Sequence, residues 1–132
     1  MQLVILYLAT AIIFLALDAV ALKSVLKPMF DKQLGSLLLD DIRMRPAIIF
    51  YLFYIAGVLW FVSVPALKAE LPLQALIGGA MLGALAYGTY EFTNFATLRD
   101  WTSQMVMVDL AWGTVLTGFS AWAGVMIART LA

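Results

Sequence analysis

Three carboxylic acids interrupt long apolar stretches of this sequence: Asp18, Glu91 and Asp109. A charge near the centre of a bilayer costs about 3 kcal/mol or more, so acids at such positions are usually paired or functional. Carboxyl groups beside phenols and amides can hold a cationic ligand or transfer protons. The sequence has no His and no Cys, which excludes metal sites and nucleophiles built from those side chains. We therefore expect neither a metal nor a cofactor.

Polar and aromatic side chains recur beside these acids at helical spacing. Tyr87, Glu91 and Asn94 share one face at i, i+4 and i+7, and Tyr90 lies one turn before Asn94. Tyr51 and Tyr54 begin another apolar stretch, and Trp112 follows Asp109 at i+3. The residues predicted to line a ligand-binding site are Asp18, Tyr51, Tyr54, Tyr87, Tyr90, Glu91, Asn94, Asp109 and Trp112.

Each of these residues alone has a simpler explanation. An acid near the end of a span can reach the headgroup region or pair with a loop arginine such as Arg43, Arg45 or Arg99. Tyr and Trp, including Trp101, favour the membrane interface for purely physical reasons. We predict a binding site because the acids, phenols, amide and indole on different helices all fall at a similar depth. No nucleophile can be identified, so catalysis stays open and no catalytic residue is assigned.

The composition predicts a membrane protein. Of the 132 residues, 64% are apolar and 12% are charged, whereas about 25% of residues are charged in a soluble domain. Net charge is zero, which argues against nucleic acid as a partner. Four continuous apolar segments, about 3–22, 46–67, 73–98 and 104–128, are long enough to cross a bilayer as helices. We expect an all-α membrane protein, a single transmembrane domain over residues 1–132 built as a four-helix bundle.

Basic residues predict its orientation. Six lie between spans one and two or between spans three and four, against two elsewhere: Lys23, Lys27, Lys32, Arg43, Arg45 and Arg99, against Lys68 and Arg129. Both of the richer loops should face the cytoplasm, with both termini in the periplasm and the chain in a bacterial inner membrane. No basic leader precedes span one, which we expect to remain as an anchor. All three acids then lie roughly 7–11 Å inside the cytoplasmic end of their spans.

The first loop has helical periodicity. Its apolar residues after Pro28 predict a short amphipathic helix at the membrane interface, between helices one and two. These residues are Met29, Phe30, Leu34, Leu37 and Leu38. A partly buried connecting loop is the alternative interpretation.

Two further patterns concern packing. The short segment 68–72 predicts a tight turn between antiparallel helices. Gly79 and Gly83, with the row Gly113, Thr117 and Ala121, favour close helix packing, which we assign to the bundle interior in preference to a homodimer.

Several longer strings of residues are similar to a known family. Tyr87-Gly-Thr-Tyr-Glu-Phe-Thr-Asn94 and Asp109-Leu-Ala-Trp-Gly-Thr114 are the most specific, and Leu17-Asp18 and the segment from Tyr51 to Gly57 add to them. Together they make the chain resemble domain-of-unknown-function family 2177, a bacterial family of small four-span inner-membrane proteins. The resemblance implies fold and location and no known reaction.

Three functions are compatible with the sequence. The first is a pocket in the cytoplasmic half that binds or processes an amphiphilic small molecule or lipid. The second is an accessory subunit of a larger membrane complex, with a membrane-protein partner. The third is a small proton- or ion-coupled transporter, although no inverted repeat is visible. An enclosed cavity at the acids favours the first, a lipid-facing surface of small residues the second, and a polar path to both sides the third.

Overall fold

The described part of the chain forms four helices. The computed structural model describes residues 1–35 and 43–131, and within these ranges it is all-helical, at 93%, with no strands. Helix α1 spans Gln2–Leu34, α2 spans Met44–Ala69, α3 spans Pro72–Thr97 and α4 spans Ser103–Leu131. The all-α prediction is confirmed, and α2, α3 and α4 match three predicted segments to within a few residues. Helix α1 runs past its predicted end at residue 22.

Helices α1, α2 and α4 are the three in the described ranges that are long and apolar enough to cross a membrane. Helix α3 has 26 residues but is less apolar, because its second half carries Tyr87, Glu91 and Asn94. The prediction of a fourth span is therefore not confirmed.

Helices α1 and α2 each contain one π-helical turn, at Leu22–Leu26 and Leu59–Ser63. A proline follows each turn at the same offset, Pro28 and Pro65. Proline lacks an N–H group, and its ring collides with the carbonyl four residues earlier in an α-helix. The wider turn avoids that collision, and the Lys27 N–H bonds a carbonyl five residues back. Both helices therefore continue through their prolines.

The predicted interfacial helix is not confirmed as a separate element. Its first residues, Lys27–Leu34, are helical but continue α1 without a break. Met29 and Phe30 pack against a buried cluster that includes Trp101 and Met105. Their apolar side is therefore covered by protein, which explains the amphipathic pattern without contact with a membrane surface.

Gly35 ends α1. Its φ of +52° lies in the region that favours glycine, so this glycine terminates the helix that the sequence predicted would pass through it. The other residues of the predicted helix, Ser36, Leu37 and Leu38, lie outside the described residues.

Helix α4 is at the centre of the bundle and packs along α3 and α1. A Cβ atom on Gly79 would lie 2.9 Å from the backbone of Gly118, and one on Gly83 would lie 2.9 Å from Thr117. Both distances are too short for any residue but glycine. The predicted small-residue packing within the bundle is therefore confirmed.

A tight turn joins α2 to α3. Glu70 has a φ of +57°, and the next amide, of Leu71, donates to the carbonyl of Ala66 at 3.0 Å. This hydrogen-bond pattern ends a helix with a left-handed residue. It returns the chain along α2, as the predicted antiparallel turn requires.

Candidate functional site

The three acids are buried on three different helices. The exposed fraction is 4% for Asp18 on α1, 0% for Glu91 on α3 and 8% for Asp109 on α4. Because consecutive helices run in opposite directions, the C-terminal ends of α1 and α3 lie at the same end of the bundle as the N-terminal ends of α2 and α4. We call this end of the bundle the basic end, because Lys23, Lys27, Lys32, Arg43, Arg45 and Arg99 lie around it.

A cavity of about 520 Å³ opens at this level between all four helices. Its polar or charged lining comes from Asp18, Lys27, Asp31, Tyr51, Tyr54, Tyr87, Tyr90 and Asp109. Its apolar lining comes from Leu22, Leu26, Phe30, Phe50 and Ala86. The volume is within the roughly 300–1,000 Å³ of small-molecule sites, which combine apolar walls with a few polar groups.

The aromatic side chains that line the cavity are positioned by contacts between their rings. Phe50 stacks on Tyr54 with ring centroids 6.3 Å apart, and Tyr54 meets Tyr87 edge-on at 6.5 Å. Phe14, which is buried beneath them, lies 5.7 Å from the rings of both Tyr51 and Tyr54. Edge-to-face and offset contacts of this kind are favourable and directional. The walls are therefore preorganised.

Asp18 is held by an indole from the central helix. The Nε1–H of Trp112 donates to Oδ1 of Asp18 at 3.0 Å, and the Tyr51 phenol faces the same carboxyl group. Trp112 was predicted as a lining residue, but its contact with the site is this hydrogen bond from behind Asp18.

Glu91 is held by a second indole. The Nε1–H of Trp101 donates to Oε1 of Glu91 at 2.9 Å, whereas Oε2 is buried without a partner among the described residues. The Glu91 carboxyl group is adjacent to that of Asp109. Glu91 is therefore fully buried outside the cavity lining, next to Asp109, which belongs to that lining.

Tyr87 contributes an unpaired hydroxyl group. A side chain on Gly113 would overlap the Tyr87 ring, so this glycine makes the space that the ring occupies. The phenol oxygen of Tyr87 is buried without a hydrogen-bond partner in the described structure. Tyr54, by contrast, is paired with Thr117 at 3.0 Å between the two hydroxyl oxygens.

The last turns of α1 close the cavity at the basic end. Lys27 and Asp31 both line it and form an ion pair of 2.9 Å with each other. Beyond them, Gln33 donates to Gln104 at 2.8 Å and accepts a hydrogen bond from Thr102. The extension of α1 that the sequence assigned to an interfacial helix therefore forms one wall of the cavity.

Six of the nine predicted residues line this cavity: Asp18, Tyr51, Tyr54, Tyr87, Tyr90 and Asp109. Glu91 and Trp112 support it from behind, and Asn94 is half-buried outside the lining. Trp101 is a further residue of the site that is absent from the nine predicted ones: its type favours the membrane interface, whereas its side chain is 7% exposed in the structure. Its position just past the end of α3 is the feature that identifies it, because a side chain there can fold back over the last turns of the helix.

A second, shallower groove lies at the opposite end of the bundle, between α1 and α2. It encloses about 890 Å³ and is lined almost entirely by apolar residues: Leu3, Val4, Tyr7, Leu8, Ala56, Leu59, Trp60, Val64, Pro65 and Lys68. Trp60 is 76% exposed there. Apart from Lys68 at its rim, this groove has no charged lining residue, so it differs in chemistry from the cavity at the acids.

Comparison with known proteins supports the membrane assignment. The family model described as "Predicted membrane protein (DUF2177)" matches residues 3–126 of the chain. No curated protein and no solved structure matches it. The match includes every residue of the cavity, all of α2 and α3 and most of α1 and α4, and the chain belongs to the DUF2177 family of predicted membrane proteins.

Proposed function

We propose that this protein binds an amphiphilic small molecule or lipid in the cavity beside Asp18 and Asp109. The observation that carries the proposal is the pairing of an apolar, aromatic wall with polar groups that lack partners. Tyr87 has a buried hydroxyl without a hydrogen-bond partner. Asp109 lines the same cavity and forms no ion pair with any described residue; its side-chain partner is the carboxyl group of Glu91. Such groups are costly to leave unpaired in a folded protein, and a ligand head would satisfy them.

The proposal includes a four-span topology in a bacterial inner membrane, with the cavity in the cytoplasmic half and both termini in the periplasm. Helix α3 packs along α4, and its 26 residues correspond to about 39 Å of helix. A helix of that length beside a spanning neighbour fits the bilayer as a fourth span. The basic end carries six of the eight basic residues, which supports its cytoplasmic location.

Two other functions have less support. The rows of small residues that would suit docking to another subunit are used between α3 and α4 within this chain. A transporter needs a continuous polar path through the bundle. The core contains the buried hydroxyl groups of Thr10, Ser63, Thr117 and Ser120, but most of its buried residues are apolar, such as Leu6, Phe14 and Ile55. Any processing of the ligand would be limited to proton transfer, hydrolysis or isomerisation by the carboxyl and phenol groups.

A cavity-filling variant tests the proposal. Ala86 lines the cavity and Ala56 lines the groove at the other end, so Ala86→Phe and Ala56→Phe add the same ring in two different places. Native mass spectrometry of protein in nanodiscs would count one-to-one adducts with three probes: dodecyltrimethylammonium, dodecylphosphocholine and dodecyl sulfate.

We expect at least one probe to bind both the unmodified protein and the Ala56→Phe variant. The affinity of that probe for the Ala86→Phe variant should be lower by about tenfold or more. Equal binding of every probe to all three proteins, or no binding at all, would contradict the proposal. If Ala86→Phe fails to accumulate, the smaller change Ala86→Leu gives a graded version of the same comparison.

A further inference from the structure

The charges around the cavity are unbalanced. Of the described residues, three acids line it, Asp18, Asp31 and Asp109, and one cation, Lys27. Lys27 is already paired with Asp31 at 2.9 Å, and this is the one ion pair among the described residues. All eight Lys and Arg residues of the chain lie within those residues. Asp18 and Asp109 therefore have no basic side chain to neutralise them.

Glu91 adds a third buried acid next to Asp18 and Asp109, outside the cavity lining. Glu91 has no exposed surface, and its Oε2 atom has no partner in the described structure. Its carboxyl group is adjacent to that of Asp109. Two carboxyl groups in hydrogen-bond contact share a proton, because both cannot be charged at so short a distance in a low-dielectric interior. A positive charge placed beside Asp109 can take over the role of that proton. The unpaired Tyr87 hydroxyl at the same level supplies an additional acceptor.

The aromatic lining suits an organic cation. The rings of Tyr51, Tyr54, Tyr87 and Tyr90 all border the cavity, and the face of an aromatic ring attracts an ammonium group within about 6 Å. The described residues contain no group of three acids or other ligands arranged to hold a metal ion. The combination of separated carboxylates and ring faces is therefore better suited to an alkylammonium head than to a bare metal ion.

We propose that the ligand is a cationic amphiphile, with its ammonium head between Asp18 and Asp109 and its alkyl chain along Leu22, Leu26 and Phe50. This inference rests on the proposed binding function and adds that the ligand carries a positive charge. An anionic amphiphile would place its negative head beside two acids that have no basic partner among the described residues, Asp18 and Asp109. A zwitterionic head would bring its anionic group close to the same two acids.

The three dodecyl probes differ in head charge and share one chain length, so their relative affinities test the inference on the unmodified protein. We expect dodecyltrimethylammonium to bind about tenfold or more tightly than dodecylphosphocholine and dodecyl sulfate. The double variant Asp18→Asn/Asp109→Asn should lose this preference. Lys32→Gln, which removes an exposed basic side chain outside the cavity lining, is the control for a general change in surface charge and should keep it.

The outcomes separate the two proposals. If all three probes bind equally and Ala86→Phe abolishes their binding, the cavity is an amphiphile site but the cationic preference is wrong. If dodecyl sulfate or dodecylphosphocholine binds most tightly, the inference is likewise overturned while the binding function stands. If no probe binds in the cavity, both proposals fail. A preference for the cation that survives the double variant would also overturn the assignment to Asp18 and Asp109.

Discussion

Each buried acid of the bundle has a different environment, and this difference divides their roles. Asp18 and Glu91 each accept one indole N–H, from Trp112 and Trp101 respectively. Asp109 faces the cavity without such a donor and has Glu91 beside it. The two indoles therefore anchor Asp18 and Glu91, whereas Asp109 has no indole donor; Asp18 and Asp109 both line the cavity in which we propose that the ligand binds.

The Trp101 hydrogen bond can be tested by a double-mutant cycle. Trp101→Phe keeps most of the ring but leaves Glu91 buried without a donor, so we expect a loss of about 1–3 kcal/mol in the free energy of unfolding. In Trp101→Phe/Glu91→Gln the loss should be smaller, because an uncharged amide is cheaper to bury than a carboxylate. Denaturant or thermal unfolding in mild detergent would measure all four proteins. Additive effects of the two substitutions would contradict the coupling.

The single variant Glu91→Gln tests whether Glu91 supports the fold or contacts the ligand. Because Glu91 is fully buried outside the cavity lining, we expect the variant to accumulate normally and to be at least as stable as the unmodified protein. Probe binding should weaken less than in the Asp18→Asn/Asp109→Asn variant. A loss of binding as large as that of the double variant would place Glu91 among the ligand contacts and contradict its supporting position.

Helix packing in this protein depends on a few positions without side chains. Gly79 and Gly83 of α3 meet α4 at backbone distance, and Gly113 of α4 accommodates the ring of Tyr87. Gly57 on α2, by contrast, has nothing within 4 Å of the place where a Cβ atom would be. The same chemical change therefore has opposite expected effects at two glycines.

Gly113→Ala should destabilise the bundle by about 1–3 kcal/mol, because the new methyl group overlaps Tyr87 and forces the ring or the helix to move. Gly57→Ala should be neutral or stabilise by roughly 0.5–1 kcal/mol, since alanine favours a helix. Thermal unfolding in detergent would compare the two variants, and probe binding would report whether Tyr87 has moved in the first. Equal tolerance of both changes would contradict the close packing at Gly113.

The helices and the burial of the acids follow from the sequence because hydrophobic length and the cost of intramembrane charge are local properties. The detail of α1 does not. The sequence predicts that span one ends near residue 22 and that a separate helix follows Pro28, yet a π-turn carries α1 past the proline and Gly35 ends it. Trp101 was missed for a related reason: its composition suits the interface, and its contact with Glu91 depends on how the α3–α4 connection folds back.

The whole molecule has two different ends. The basic end holds the cavity and the acids, whereas the other end has the apolar groove with Lys68 at its rim. Between them, the outer faces of the helices expose many large apolar side chains, among them Ile12, Phe53, Phe61 and Met107. Apolar surface of this extent needs an apolar environment. The distribution supports a bundle surrounded by lipid, with a cavity near one leaflet.

Reporter fusions test the orientation of these ends. Alkaline phosphatase is active only outside the cytoplasm, so a fusion after Ala132 should be active and a fusion after Asp100 in the α3–α4 connection should be inactive. A reporter that is active only in the cytoplasm should give the opposite pattern at the same two positions. The reverse result would contradict the proposed topology, either because the bundle is inverted or because α3 does not cross the membrane. Activity of both phosphatase fusions would contradict a span at α4.

The central claim is that the space beside Asp18 and Asp109 is a binding site for an amphiphile. A crystal structure of the protein grown with an alkyltrimethylammonium ligand brominated at the end of its chain would test it most directly, because anomalous scattering locates the bromine. The account predicts a bromine peak near Leu22, Leu26 and Phe50, with density for the head between the two aspartates. Bromine peaks confined to the outer faces or to the groove near Lys68, with the cavity occupied by side chains, would contradict it.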